Sequence, residues 1–88
     1  MRTISIRDLG KLRLVRPLAV RVEPDGDDFL ATLVDLDRVC GIGKDGGEAL
    51  TDLKERLEEL WREFNEDDLK YSRYWTEARR FMESVVAR

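Results

Sequence analysis

Between Val39 and Gly47 the chain reads V-C-G-I-G-K-D-G-G, a glycine-rich run holding its only cysteine and a lysine-aspartate pair. Three chemistries use such residues: a phosphate cradle, a reactive thiol and a carboxylate cluster. A phosphate-binding loop needs a glycine five positions before its Gly-Lys pair and a hydroxyl residue after the lysine. Here Arg38 precedes Gly43-Lys44 at that position and Asp45 follows it, and an aspartate there repels phosphate. Gly41, Gly43 and Gly46 match the G-x-G-x-x-G spacing of dinucleotide sites, but those sites follow a parallel strand, and the strands preceding this run read as a hairpin. Turn glycines are the better reading. Cys40 has no histidine in the chain to activate it, so a Cys-His nucleophile and a Cys/His zinc site are both excluded within one subunit. It reads as a small buried apolar residue. Asp35, Asp37, Asp45 and Glu48 flank the run, and metal-dependent nucleases gather such carboxylates. Acids at strand ends are more commonly solvated turn residues. The residues thus point to no enzyme, no cofactor and no metal.

The elements around this run follow from periodicity. Thr3 to Ile6 alternates as a short strand, and Asp8-Leu9-Gly10 reads as a turn. Leu12 to Val15 is ambiguous because Pro17 follows closely and ends or edges the segment. Leu18, Val20 and Val22 then alternate with Ala19 and Arg21, and Pro24-Asp25-Gly26-Asp27 supplies a turn into a second strand over Phe29 to Leu36. A third short strand fits Val39 to Ile42. Asp45-Gly46-Gly47-Glu48 has the spacing of a capping box, in which an aspartate accepts from an amide three residues on. Leu50, Leu53, Leu57, Leu60 and Phe64 continue from it as one apolar stripe. A second helix is expected over Ser72 to Ala87, with Tyr71, Tyr74 and Trp75 crowding its entrance as core or subunit interface.

The expected fold is therefore α+β: an antiparallel sheet of three to four strands, a long amphipathic helix on one face and a second C-terminal helix. One domain covers residues 1–88, divided into a basic arm or strand (1–16), a core (17–66) and a C-terminal helix (67–88). A chain of this size buries roughly 60 to 65 % of its unfolded surface, which leaves apolar area for self-association, so a homo-oligomer is expected. No stretch approaches the roughly 18 apolar residues of a membrane span, and Met1 to Ser5 lacks the apolar run of a secretory signal. A cytoplasmic protein is the simplest reading. The net charge of -3 hides a segregation: Arg2, Arg7, Lys11, Arg13, Arg16 and Arg21 face Asp8 alone, whereas acids crowd residues 45–68. The basic arm lacks the interleaved aromatics that single-strand binders use, which argues against a nucleic-acid partner.

Pro17 to Pro24 with its hairpin, Asp35-Leu36, Gly41-Ile42-Gly43 and Glu48-Ala49-Leu50 at the helix start together resemble the N-terminal domain of HicB-type antitoxins. The similarity spans about residues 17–85 and is closer to stand-alone HicB-like proteins with a tryptophan-led C-terminal helix, here Trp75 to Val85. Asp37-Arg38 stands where the family has Pro-Gly, and Asp45-Gly46-Gly47 replaces its threonine-led helix entry. The resemblance implies a truncated ribonuclease-H-like βββα layer. It also implies a partner, a small basic RNA-cleaving toxin of the HicA kind, steered by the acidic helix face and bound at a corner formed by Asp35, Asp37 and Arg38. The alternative is an orphan homo-oligomer of the same fold with another binding role.

Overall fold

The computed structural model describes residues 2–66 and 73–87, with backbone alone at 65, 66 and 73–75. Four antiparallel strands follow in chain order, β1 (Arg2–Leu9), β2 (Leu12–Asp25), β3 (Asp28–Leu33) and β4 (Cys40–Gly43), and they lie side by side in that order. Helix α1 (Gly46–Glu66) covers one face, and α2 (Arg73–Val85) packs at one end. The chain is an α+β domain with a single sheet.

Both hairpins are set by local chemistry. Gly10 (φ 72°) and Gly26 (φ 63°) each sit in a two-residue turn in the positive-φ region, which matches the right-handed twist of the flanking strands. The basic N-terminal segment is a full strand. Ile6 and Leu9 of β1 are buried, so the core begins before residue 17.

Pro17 does not end its segment, because β2 runs through it on a wide bulge. Between the pairs Ile6–Leu18 and Asp8–Arg13, Arg7 alone faces Leu14, Val15, Arg16 and Pro17. Proline lacks the N–H that a regular ladder requires, and the bulge removes that requirement. The displaced stretch is tied down from the C-terminus: Leu14 bridges Val86, and the Ala87 N–H donates to the Arg13 carbonyl at 2.8 Å. β3 pairs with β2 only from Val20 onward, so these last residues occupy an edge that β3 leaves vacant.

β3 is shorter than its alternation suggests. Val34–Leu36 forms a single 3₁₀ turn rather than extended chain. The Leu33 N–H donates to the Val39 carbonyl (3.4 Å) and the Val39 N–H to the Leu36 carbonyl (3.1 Å), closing a loop that reverses the chain into β4. Tyr71 and Ser72, expected at the start of α2, lie outside the described residues, as do the side chains of Tyr74 and Trp75.

Along α1, Leu53, Leu57 and Phe64 are almost fully buried, against Val20, Val22, Ala31 and Leu33 of the sheet, while Leu50, Leu60 and Trp61 flank them. Replacing Leu57 by alanine removes a fully buried side chain and leaves a cavity, which costs about 2 to 5 kcal/mol. Urea denaturation should show a loss in that range for Leu57→Ala and under about 0.5 kcal/mol for the exposed Glu55→Ala.

Candidate functional site

The Gly-x-Gly of β4 serves the contact between β4 and α1. A side chain on Gly41 would strike the Leu53 backbone N and the Ala49 carbonyl, and one on Gly43 would come within 2.5 Å of the Ala49 N. Both glycines face α1, so the helix backbone can lie directly on the strand. The entry to α1 is fixed next door, where the Glu48 N–H donates to Asp45 Oδ1 at 2.8 Å. Asp45 is thus an N-cap, and the motif that looked like a nucleotide site is the seat of a helix.

The same close approach disposes of the outer edge of β4. The Ile42 N–H donates to Asp52 Oδ2 at 2.9 Å, and that oxygen also accepts from Arg56 Nε at 2.9 Å. The Ile42 amide, followed by the Arg56 guanidinium, holds the Asp52 carboxyl below the usual aspartate range.

Beside this edge runs a shallow trough. It measures about 310 Å³ and is lined by Arg38, Val39 and Cys40 from the loop into β4 and by Arg56, Glu59, Leu60 and Glu63 from α1. A second shallow hollow is bordered by Ile42, Asp45, Gly47, Glu48, Thr51, Asp52 and Glu55. Glu48, Asp52, Glu55, Glu59 and Glu63 follow one another at spacings of three and four, so they form one acidic stripe along the helix. Val39, Leu60, Cys40 and Ile42 supply the apolar component, with Ile42 46 % exposed. Cys40, expected to be buried, is half-buried along the trough floor because Gly41 and Gly43 take the helix-facing side of the strand.

The three residues expected at the partner corner have different neighbours. Arg38 lines the trough. Asp35, in the 3₁₀ turn, instead meets Arg16 at 3.6 Å, and that guanidinium lies 6.0 Å from the centre of the Phe81 ring of α2. Asp37 is exposed at the end of the turn. Asp35 and Asp37 precede β4 and Glu48 follows it, so four extended residues, on the order of 13 Å of chain, part them. Among the described residues no three His, Cys, Asp or Glu side chains are placed to hold a metal ion.

Sequence reading gave the acidic helix face that carries Glu59 and Glu63 and the apolar stripe that carries Leu60, but not their position against the Arg38–Cys40 loop. It also missed the contacts that bind α1 to the β1–β2 hairpin. Glu58 Oε1 accepts from the Lys11 N–H at 2.7 Å, and Lys54 Nζ reaches Asp8 Oδ1 at 3.2 Å. Lys54 and the Gly10 N–H lower the Asp8 pKa.

Fold and trough together define a small α+β domain with a shallow trough along one sheet edge. No protein-family model, curated protein or solved structure matches the chain. Among the described residues no helix is long and apolar enough to cross a membrane.

Two outcomes follow from this geometry. Gly41→Ala forces a methyl into helix backbone, and overpacking of this kind costs about 1 to 3 kcal/mol, read as a lowered urea midpoint. Asp52 has a folded-state pKa below its unfolded value, so its stabilisation is complete above the ordinary aspartate value of about 3.9 and is lost as pH falls through the folded pKa. Asp52→Asn should therefore be less stable than the parent at pH 7, and the gap should narrow on acidification below about pH 4.

Proposed function

We propose that this chain is a binding protein of the HicB-like antitoxin type, which captures a small basic RNA-cleaving protein and performs no catalysis of its own. The observation that carries the reading is the trough itself, an apolar floor of Val39, Cys40 and Leu60 walled by Glu59 and Glu63. An acidic wall attracts a basic partner over several ångströms and speeds encounter, while apolar contact at the floor slows dissociation. Arg38 and Arg56 interrupt the acidic wall, which gives the surface a charge pattern able to select among basic partners. Asp35 and Asp37 lie at the far end of the loop and contribute field rather than contact. A cytoplasmic location and self-association as a homo-oligomer belong to the same reading, as does the absence of a nucleic-acid or membrane partner. The resemblance at Gly41-Ile42-Gly43 and Glu48-Ala49-Leu50 supports it at the level of the fold.

Co-expression with a small basic RNA-cleaving protein of the HicA kind, taken from the neighbouring reading frame where one is encoded there, tests the proposal. A stable complex is expected, with an association rate that falls as salt rises. Reversing two wall charges, Glu59→Lys with Glu63→Lys, should weaken it by about tenfold or more while leaving the fold intact. Magnesium-dependent RNA cleavage by the isolated chain, abolished by Asp35→Asn, would replace this reading with an enzymatic one.

A further inference from the structure

The two edges of the sheet are treated differently. On β4 the outward Ile42 N–H is taken by Asp52, and α1 overhangs the strand. β1 is the opposite edge, eight residues long, and among the described residues only β2 pairs with it. α2 does not close it, since Val86 and Phe81 of that region engage Leu14 and Arg16 of β2. An edge of this length presents unpaired backbone donors and acceptors to any strand that fits.

We infer that β1 pairs antiparallel with β1 of a second copy of this chain, about a two-fold axis at Ser5, to give one continuous eight-stranded sheet. The register follows from geometry. Facing residues of an antiparallel pair must both turn their backbone groups toward each other or both away, so a two-fold self-pairing of β1 centres on a residue and never between two. Centred on Ile4, it places Arg2 against Ile6. Centred on Ile6, it places Asp8 against Ile4. Centred on Ser5, it sets Arg2 against Asp8, Ile4 against Ile6 and Ser5 against Ser5, and it extends over residues 2–8.

Side-chain direction agrees with that register. Arg2, Ile4 and Ile6 face Val22, Val20 and Leu18 across the β1–β2 ladder, on the face that α1 covers, and beyond the irregularity at Arg7 it is the contact with Lys54 of α1, not strict alternation, that puts Asp8 on the same side. Each Arg2 guanidinium therefore arrives on the same face as Asp8 of the second copy, and opposite charges directly across a ladder stabilise it. Ile4 is only half-buried in one chain, and the second copy's Ile6 completes its cover. Because the axis is perpendicular to the sheet, both α1 helices lie on one face, both troughs stay at the outer edges and neither is blocked.

This inference rests on the self-association reading and is independent of the toxin partner. Ser5→Cys in a Cys40→Ser background tests it in the full chain. Facing Cα atoms in such a pair lie about 4.5 to 5.5 Å apart, within disulfide range, so mild oxidation should link Ser5→Cys chains covalently into dimers. Thr3→Cys in the same background should stay unlinked, because its two copies would be offset by about 13 Å along the strands. Sedimentation equilibrium of the parent should give a dimer, and Arg2→Asp, which sets a carboxylate against that of Asp8 at both ends of the pairing, should weaken it about tenfold. A parent that sediments as a monomer would overturn self-association and this interface together. A dimer in which Thr3→Cys links as readily as Ser5→Cys, or which Arg2→Asp leaves unchanged, would overturn the β1 pairing alone.

Discussion

The backbone-to-backbone approach of α1 and β4 is the constraint on which the rest of this molecule depends. A helix normally rides on side chains, and its axis stands clear of the sheet. Here Gly41 and Gly43 remove the side chains from the strand's inner face, and the helix settles onto the peptide groups themselves. Asp52 is thereby brought within reach of the Ile42 amide, and Leu53 and Leu57 descend deep enough to meet Val20 and Leu33. A wider separation would strand the Ile42 N–H in a partly covered edge, where an unmade hydrogen bond costs about 1 to 3 kcal/mol.

That one contact gives the domain its polarity. β4 becomes an edge finished by its own helix, and the trough lies where the helix overhangs it. Among the described residues the opposite edge has no such cover, and it carries Arg2, Arg7 and Asp8, charges that in many sheets guard against unwanted pairing. In the pairing inferred above Arg2 and Asp8 are complementary about Ser5, so charges that guard against strangers would serve to recognise a copy. A sheet whose edges differ in this way can assemble through one and bind through the other.

The charge segregation along the chain has a related structural meaning. The basic N-terminal segment and the acidic helix meet at the hairpin between β1 and β2, but the bonds there are local and specific. Lys54 reaches Asp8, and Glu58 accepts from the Lys11 amide. Most acids of the helix are thus left facing outward, away from the basic residues of β1, and the stripe from Glu48 to Glu63 remains available to another molecule. The exposed pairs, such as Arg16 with Asp35, contribute little to stability in water and serve chiefly to orient the loop into β4.

Local pattern was enough for much of the fold. The alternation of Leu18, Val20 and Val22, the turn at Gly26, the cap at Asp45 and the stripe from Leu50 to Phe64 are all short-range signals, and each element formed where those residues stand, with ends shifted by a few positions. What the sequence could not determine depended on residues far apart in the chain. Pro17 looked like a terminus because the bulge that accommodates it is held by Leu14 and Val86, which come from opposite ends of the chain. Adjacency in sequence says nothing of the 3₁₀ turn that takes Asp35 to Arg16 while Arg38 lines the trough, and Cys40 looked buried because its face is set by the pleat against Gly41. Side-chain type and spacing decide which element a segment prefers. Register, bulges and the distance between helix and strand decide which groups meet, and those are fixed only when the whole core closes.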